Sequence, residues 1–557
     1  MVFTPCICGG GYMKNKAKWT ALLMCGILLF SGCNSVNHKD STDANDVVTQ
    51  VTVAPEETPA PDTDTTEPTE APVNPVETPA PTEAPTDVTE TPAPTEAPAI
   101  SDEQSTIPHI TILPEEKILC AEDGTTLLTI TDYTLSVDGE GFDNLQAAFD
   151  NYHPGIVEED HQLLYTEAAE FYEMNPEFFR GYSSNYSATL SRCDSNLVSF
   201  RVLCSDYTGG AHGMYAYYGE TYDVESGQQL LLTDIVADAE GFYPSAIDYI
   251  NNALYEEYKD GLFANYQSAV EAALSPSNEP LWYMTSTGIV ICFTPYEVGP
   301  YAMGAPEITL PYSECAAYLH SKYLPSDGEL IAKVGLNQDI SSLIGVEQPV
   351  MIEAVENDWR LDISLVSGSS KASLGTFGYF HSAYMIRRAD GRSFLFITCD
   401  YMSDDYVTYL YVITDGNPII YGELPNMLLT GRSLSSKNIE MEVRVDALGS
   451  YRAFANFMLT PEATLTHDGD IYRIDSEHVL NIIKPLPVTI NGVETTLDAG
   501  TQITITGTNL SNEIYFKVTT TEQTGTIHYT HEEPDTWIHL IDGISEYEYF
   551  EDLPYAG

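Results

Sequence analysis

One long segment near the N-terminus cannot contribute to a packed core. From Thr49 to about Pro108 the sequence is built mainly from Pro, Thr, Glu and Ala, and ETPAPTEAP at residues 77–85 recurs at residues 90–98. Such a segment has few apolar side chains to bury and cannot offset its ordering entropy, so it is predicted to be disordered. Its prolines and its carboxylates favour an extended chain. We therefore expect a stalk, ending near residue 108, ahead of the folded domains.

The residues before the stalk predict export. Lys14, Lys16 and Lys18 precede an apolar run at residues 21–30, and small residues follow. This order is typical of a secretion signal. The run is short for a membrane-spanning helix, which needs about 20 residues, although an uncleaved apolar anchor is an alternative. Residues 1–12 carry no charge and precede Met13, so they are interpreted as an overcalled start.

The sequence LFSGC at residues 29–33 resembles a bacterial lipoprotein lipobox, although Phe30 stands where Leu is usual. The resemblance implies a signal peptide at residues 13–32, a lipid on Cys33, and a lipidated stalk at residues 33–108. The expected location is the extracellular face of the cytoplasmic membrane, in a bacterial cell envelope, with the membrane contacted through that lipid.

The charge balance limits the partners. The chain has 23 Lys and Arg against 83 Asp and Glu, a formal net charge of −60. Because nucleic-acid affinity depends on cations that neutralise phosphates, we expect no nucleic-acid partner. The negative charge does not exclude basic partners or cations as ligands. It is also explained by solubility alone, because a strongly charged chain stays soluble.

Six cysteines follow the predicted stalk: Cys120, Cys193, Cys204, Cys292, Cys315 and Cys399. In an oxidising compartment they are compatible with up to three disulfides, whose connectivity the sequence does not reveal. We expect one or two disulfides together with buried thiols.

Residues 109–325 are predicted to form an α+β domain, an antiparallel sheet with helices on one side. Alternating apolar residues predict strands near residues 127–131 and 198–204, and an apolar run predicts a strand at residues 289–293. Helical spacing appears at residues 164–172 and again from Ile247 to Tyr258, where the pattern continues to Leu274.

Two segments of this domain carry a family resemblance. The first is DYTGGAHG at residues 206–213, followed by YDV at 222–224 and GQQL at 227–230. The second is FTPYEVGPYAMG at residues 293–304, which leads into a strand at residues 308–311. Together they resemble an extracellular domain of unknown function that is shared by RsiV-type anti-sigma factors and by the noncatalytic portion of some peptidoglycan deacetylases.

The resemblance implies recognition of a wall-related partner. RsiV-type members bind lysozyme outside the cell, but their sigma-binding segment and transmembrane helix have no counterpart in this sequence. The deacetylases owe their chemistry to a separate metal-dependent domain with an H-x-x-x-H motif, which is also missing here. Neither sigma-factor inhibition nor deacetylation is therefore carried over.

Four residues of these motifs are candidate binding residues. His212 follows two glycines in a loop that could present its imidazole to a ligand. Tyr296, Glu297 and Tyr301 lie between prolines and glycines, and aromatic rings beside a carboxylate suit carbohydrate stacking or contact with a basic protein. The alternative is structural: a tight turn around His212 and a loop packed over its apolar residues.

The C-terminal half is predicted to be mainly β. Apolar strands flank turns at residues 389–391 and 415–417 in a β-rich domain at residues 345–484. A small β module follows at residues 485–557, and its segment EYEYF at 546–550 resembles the last strand of an SH3-like barrel.

No catalytic residue, metal or cofactor is assigned from the sequence. His528, His531, Glu532, Glu533 and His539 form a local group without metal-binding helix spacing, which we interpret as incidental. The expected function is non-catalytic binding of a lysozyme-like protein or peptidoglycan at the cell surface. One alternative is a wall-polysaccharide hydrolase or deacetylase-associated enzyme that uses His212, Glu297 or a carboxylate pair hidden in the sequence as acid or base. The other alternative is a structural wall protein.

Overall fold

The computed structural model describes residues 106–151, 158–402, 405–414, 417–460, 464–467, 469–476, 478–531 and 538–555, all within one compact unit. The predicted start, signal peptide, lipidated Cys33 and nearly all of the stalk lie outside the described residues. No helix among the described ranges is both long and apolar enough to cross a membrane.

The helical elements are few, and most lie in the first half of the chain. The described residues contain the α-helices α1 (Asp143–Asp150), α2 (Glu158–Met174), α3 (Leu232–Ile235), α4 (Ala239–Tyr258), α5 (Tyr266–Ala273) and α6 (Tyr312–Cys315). Short 3-10 helices cover Tyr301–Met303, Ala316–Tyr318, Ser321–Tyr323, Ser341–Leu343 and Glu546–Glu548.

Strands dominate the rest of the described chain. The strands of the first half are β1 (His109–Cys120), β2 (Thr126–Asp138), β3 (Tyr182–Asp194), β4 (Leu197–Tyr207), β5 (Met214–Asp223), β6 (Leu281–Met284), β7 (Gly288–Cys292), β8 (Glu307–Pro311) and β9 (Leu330–Val334). Those up to the middle of the C-terminal half are β10 (Val350–Asn357), β11 (Arg360–Ser367), β12 (Ser370–Phe377), β13 (Tyr379–Arg387), β14 (Ser393–Asp400), β15 (Tyr406–Thr414), β16 (Asn417–Pro425), β17 (Met427–Ser435), β18 (Asn438–Asp446) and β19 (Ser450–Leu459). The remaining strands are β20 (Leu465–His467), β21 (Tyr472–Ile474), β22 (Val479–Asn481), β23 (Leu486–Ile490), β24 (Val493–Leu497), β25 (Gln502–Thr508), β26 (Glu513–Val518), β27 (Thr524–His528), β28 (Thr530–His531), β29 (His539–Ile541) and β30 (Ile544–Ser545).

Within the described part of the chain, a hydrogen-bonded network of 21 strands joins the two halves. β3 pairs with β4 on one edge, and its other edge pairs with β2 and with β9. β9 also pairs with β13, and β1 pairs with β17 through Thr111 and Ser433. The β2–β3 pair is parallel, because α1 and α2 carry the chain back between the two strands.

The main core contains residues from both halves of the chain, because strands from both halves pair with one another. Phe200 and Val202 of β4 belong to one buried cluster with Tyr384 of β13, Phe396 of β14 and Met441 of β18. A core that contains strands so distant in sequence is completed only when both halves are present.

A second layer surrounds the three-stranded sheet β6–β7–β8. The helices α4 and α5 and the short α6 pack on one face of this sheet through a large apolar cluster. The other face carries Tyr283, Val290 and Cys292, which pack toward Tyr217 of β5. An added Cβ at Gly219 of β5 would lie 2.1 Å from the Trp282 carbonyl oxygen, so glycine allows this close approach.

The predicted α+β part followed by β modules agrees broadly with this architecture. The helix predicted from residues 164–172 is α2, and it ends at Met174, before Asn175 and Pro176. The continuation of the next helix to Leu274 is wrong, because α4 ends at Tyr258 and α5 begins at Tyr266. A turn closed by the Gly261 N–H to the Tyr258 carbonyl separates the two helices.

The C-terminal half has most of its predicted hairpins. β13 and β14 pair around residues 389–391, and β23 and β24 pair across Asn491 and Gly492, which both have positive φ. β15 and β16 also pair, although residues 415 and 416 of their turn lie outside the described residues. The strand expected at residues 546–550 is wrong: Glu546–Glu548 is a 3-10 helix, and the buried Glu546 carboxylate accepts a hydrogen bond from the Leu448 N–H.

The expected disulfides are wrong as well. All six cysteines of the described chain are free, and only Cys120 is exposed. Cys193 and Cys204 belong to one buried cluster, whereas Cys292, Cys315 and Cys399 each belong to a different one. The Cys193 thiol faces the Pro108 carbonyl, and the Cys315 thiol faces the Pro311 carbonyl. Burial raises the pKa of the thiols of Cys204 and Cys399 to about 12, which makes them poor nucleophiles at neutral pH.

Candidate binding site

The structure brings together three of the four residues predicted from the motifs. The ring of His212 stacks on the ring of Tyr301, with 3.9 Å between ring centroids and 24° between planes. The ring of Tyr296 lies 5.8 Å from that of Tyr301. His212 is exposed, Tyr301 is half-buried, and Tyr296 is 48% exposed. We call His212, Tyr296 and Tyr301, together with the neighbouring Tyr215 and Tyr217, the aromatic cluster.

A tight turn presents Tyr296. The Glu297 N–H donates to the Thr294 carbonyl at 3.1 Å, and Tyr296 has φ of 71°, a value that favours glycine. Pro295 before it fits a turn of this type, in which the third residue has positive φ. An exposed aromatic residue held in a conformation that costs free energy is a pattern found at functional sites.

Glu297 turns toward its own loop. Its Oε2 accepts hydrogen bonds from the Thr294 N–H at 2.8 Å and from the Thr294 hydroxyl at 3.1 Å. Burial raises the pKa of this carboxyl, and the bonds from Thr294 partly offset the effect. The carboxylate therefore fixes the turn that displays Tyr296.

The two motif segments are tied through one carbonyl group. The Tyr301 hydroxyl donates to the Gly213 carbonyl at 2.8 Å, and the His212 Nδ1 lies 3.0 Å from the same oxygen. Tyr301 begins a 3-10 helix after Pro300, and Gly304 ends it with φ of 81°. These contacts hold the imidazole and the phenol in one stacked unit.

Sequence reasoning missed two members of the cluster. Tyr215 lies perpendicular to Tyr301, with 6.0 Å between centroids, and Tyr217 lies 5.8 Å from Tyr215. Both are on β5, where the intervening Ala216 is buried in the core. The alternation of Tyr215 and Tyr217 directly after the glycine loop was the available signal.

The ion pair between Arg201 and Glu307 lies beside Tyr217, at one end of the aromatic cluster. The Arg201 guanidinium lies 3.7 Å from the Tyr217 centroid and donates to Glu307 through Nε at 2.7 Å and through Nη2 at 2.6 Å. The Tyr283 hydroxyl also donates to Glu307, at 3.0 Å. Burial by itself would lower the pKa of Arg201, but the hydrogen bonds and the charge of Glu307 hold it above its usual value.

The arrangement is suited to binding. Rings with partly exposed faces offer apolar area at low entropic cost, and the hydroxyl groups and the ion pair offer polar contacts beside them. Within the described ranges, no group of three or more His, Cys, Asp or Glu could hold a metal ion.

The histidine group near the C-terminus is partly within the described chain. His539 lies 4.9 Å from His531 between ring centroids, and its Nδ1 lies 3.1 Å from Glu546 Oε1. The Tyr555 hydroxyl donates to the same Glu546 oxygen at 2.7 Å. Glu532 and Glu533 lie outside the described residues.

Comparison with known proteins identifies one family segment. Residues 233–313 match the family model DUF3298, described as a protein of unknown function. The chain therefore contains a DUF3298 domain. This DUF3298 segment includes α4, α5, β6–β8, Tyr296 and Tyr301, whereas His212, Tyr215 and Tyr217 precede it.

Two solved structures of DUF3298 family proteins are similar to part of this chain. One is a DUF3298 family member from Bacteroides fragilis NCTC 9343, with 17% identity, a TM-score of 0.30, and coverage of 40% of this chain and 96% of its own. The other is a DUF3298 family protein from Pseudomonas aeruginosa PAO1, with 18% identity, a TM-score of 0.29, and coverage of 39% and 96%. No curated protein sequence gives a significant match.

Proposed function

We propose that this protein is a non-catalytic recognition protein of the bacterial cell surface, which binds a lysozyme-like protein or peptidoglycan. In this proposal a lipid on Cys33 anchors the chain outside the cytoplasmic membrane, and residues 33–108 hold the binding domain away from the lipid. The part of the chain at residues 109–325, which carries the two motifs, is RsiV-like. The aromatic cluster around Tyr301 is the observation that carries the proposal.

The geometry of the cluster favours a binding role. Tyr296 and His212 are exposed beside Tyr301 on loops that hydrogen bonds hold in place, so little side-chain entropy is lost when a partner covers them. Glu297, one of the candidate acid or base groups of the hydrolase alternative, uses one carboxylate oxygen to fix the turn. The net charge of −60 also favours a basic partner at low ionic strength.

The binding test uses the full chain on immobilised lysozyme and on purified peptidoglycan, each at low and high salt. Tyr301→Ala and Tyr296→Ala should each weaken retention by about ten-fold, as expected of buried aromatic anchors in an interface. Retention on lysozyme should fall with salt more steeply than retention on peptidoglycan. The matched control is Tyr379→Ala, since Tyr379 is 63% exposed and lies on β13.

Either of two results would contradict the proposed binding function. The full chain could fail to bind both materials at low salt, or both cluster variants could bind as the control does. Release of soluble products from peptidoglycan, abolished by Glu297→Gln, would instead establish the hydrolase alternative.

The anchoring part of the proposal has its own test. Labelled palmitate should enter the wild-type protein in bacterial cells and should not enter Cys33→Ser. The wild type should sediment with membranes, and the variant should be released from them. Equal labelling of both proteins would show that Cys33 is not the lipidated residue.

A further inference from the structure

The surface around the aromatic cluster is built by three loops: residues 208–213 between β4 and β5, residues 261–265 before α5, and residues 293–306 between β7 and β8. The first loop is bonded to the third, because the Tyr301 hydroxyl donates to the Gly213 carbonyl at 2.8 Å. The second loop is also bonded to the third, because the Phe263 N–H donates to the Val298 carbonyl at 2.9 Å. The three segments therefore form one continuous surface, which we call the three-loop surface.

The second and third loops pack closely at two glycines. An added Cβ at Gly299 would lie 2.9 Å from the Gly261 carbonyl oxygen, and an added Cβ at Gly261 would lie 3.2 Å from the Met303 sulfur. Glycine allows this approach of the two backbones. It places Phe263, which is 37% exposed, beside the loop that carries Tyr301. The three-loop surface thus has an exposed ring that does not belong to the aromatic cluster.

The three loops contain few charged side chains. Asp, Glu, Lys and Arg make up 19% of the whole chain, but Glu297 is the one such residue in these loops. Its carboxylate is bonded to Thr294 within the third loop. Lys259 and Asp260, just before the second loop, are exposed and have opposite charges. The net charge of the chain acts at long range, but the contact surface itself matches a neutral partner.

The exposed groups of the three-loop surface suit sugar rings. The face of an aromatic ring carries partial negative charge, and the C–H groups on one face of a pyranose carry partial positive charge, so the two stack. Gly209 and Gly210 are exposed in the first loop, where a ligand can approach backbone N–H and carbonyl groups closely. Asn265, exposed in the second loop, adds an amide that both donates and accepts.

We propose that the three-loop surface binds the glycan strand of peptidoglycan through its N-acetylated amino sugars. This inference rests on the proposed function and narrows it, because it selects a neutral glycan over a basic protein as the partner of the aromatic cluster. The rings of His212, Tyr296 and Phe263 stack on sugar faces, and Tyr301 supports the imidazole on which it is stacked. Hydroxyl and acetamide groups bond to the backbone of the first loop and to Asn265.

Three tetrasaccharides test the chemistry in calorimetric titrations of the full chain: the β-1,4-linked tetramers of N-acetylglucosamine, of glucose and of glucosamine. The N-acetylated tetramer should bind about ten-fold more tightly than the glucose tetramer, which corresponds to about 1.4 kcal/mol. Its affinity should be nearly the same at low and high salt, because no ion pair is formed. Tightest binding of the cationic glucosamine tetramer, weakened by salt, would overturn the proposal.

Variants outside the aromatic cluster locate the sugar on the three-loop surface. Phe263→Ala and Phe263→Leu should each weaken binding of the N-acetylated tetramer by about three-fold to ten-fold, because both remove the ring. Lys259→Gln and Asp260→Asn should leave the affinity unchanged, since the contact is neutral. The matched control is Phe178→Ala, because Phe178 is 67% exposed and lies outside the three loops. Unchanged affinity in both Phe263 variants, or a large loss in Asp260→Asn, would contradict the proposal.

Failure of this inference can be told apart from failure of the proposed function. Retention on peptidoglycan that Tyr301→Ala weakens, without binding of any tetramer, would reject the glycan and would point to the stem peptide. Retention on lysozyme that Tyr301→Ala weakens, again without tetramer binding, would assign the cluster to a protein partner. Absence of binding to lysozyme, peptidoglycan and all three tetramers would reject both the inference and the proposed function.

Discussion

At the scale of single residues, Tyr296 has an unusual backbone conformation for a residue that carries a side chain. Its φ of 71° costs an L-residue about 1–2 kcal/mol, which glycine avoids. A glycine would be the stable choice if the turn were only structural. The ring at this position, half exposed beside Tyr301, gives a reason for tolerating the cost.

Two substitutions separate the backbone effect from the ring. Tyr296→Gly should be about 1 kcal/mol more stable to unfolding than Tyr296→Ala, because alanine keeps the strain that glycine relieves. Both variants lack the ring, so both should lose partner binding equally. Denaturant titration measures the stability difference, and an alanine variant as stable as the glycine variant would argue against strain at residue 296.

Lys333 on β9 makes stability depend on pH. Burial, followed by the charge of Arg201, lowers its pKa to about 8, while Glu307 opposes the shift. Between pH 8 and the usual lysine pKa of about 10.4, the unfolded chain keeps a proton that the folded chain has released. The stability contributed by this residue therefore rises with pH in that window.

We expect Lys333→Met to raise the free energy of unfolding at pH 7 by about 1–3 kcal/mol, since the cost of the half-buried charge disappears. The advantage over the wild type should shrink as the pH rises from 8 to 10. Chemical denaturation at pH 7, 8, 9 and 10 measures it, with the exposed Lys437→Met as control. If the difference in unfolding free energy between Lys333→Met and the wild type stays constant with pH, the lowered pKa of Lys333 is contradicted.

At the scale of elements, a buried ion pair fixes β3 against the DUF3298 segment. Arg192 is fully buried, and its Nε donates to Asp194 at 2.8 Å. Its Nη1 donates to the Tyr312 hydroxyl at 2.9 Å and to the Tyr323 carbonyl at 2.8 Å. Asp194 also accepts from two backbone N–H groups, of Asn196 and Leu197.

Breaking this pair should be costly. Arg192→Met leaves a buried carboxylate without its cation and should lower the free energy of unfolding by about 3–5 kcal/mol. The double variant with Asp194→Asn should recover part of that loss, because the amide oxygen can still accept from the backbone. Arg444→Met, in an exposed pair with Asp446, serves as control. A double variant less stable than Arg192→Met would rule out the ionic explanation.

The elements themselves could be predicted to a useful degree. The period of apolar residues predicts α2, and the alternation predicts β4, because each pattern records which face of one local segment is buried. The break between α4 and α5 was missed, since the apolar spacing continues across Gly261. The helix expected beyond Tyr258 is interrupted by a turn that the period alone does not reveal.

The candidate binding site was predicted only in part, because sequence motifs reveal local residues but not contacts between residues far apart in the chain. His212 and Tyr301 stand in two recognisable motifs, so they could be named. Arg201 could not, because its partner Glu307 is 106 residues away and only the fold brings them together.

At the scale of the whole molecule, the two halves share one core. β9 pairs with both β3 and β13, and the Thr106 hydroxyl donates to Glu329 at 2.8 Å. The cluster around Phe200 includes Phe394 and Leu410 from the C-terminal half. A fragment that ends at residue 325 would expose this apolar surface to water.

Residues 106–325 alone should therefore fail to fold cooperatively, whereas residues 106–555 should unfold in a single main transition. Thermal unfolding followed by circular dichroism and by protease resistance measures both. Adding residues 326–460 to the fragment should restore protection of β3 and β4. A sharp transition in the fragment alone would show that the N-terminal half is an independent domain.

The contact between His109 of β1 and Ser433 of β17 closes a separation of 324 residues. At the usual pace of synthesis, about 5–20 residues per second, roughly 15–65 s pass between the appearance of the two strands. During that interval the first strands have no partner for part of their inward face. A newly made chain must be kept from aggregating for that long, by a holding chaperone or by passage through a membrane channel in threaded form.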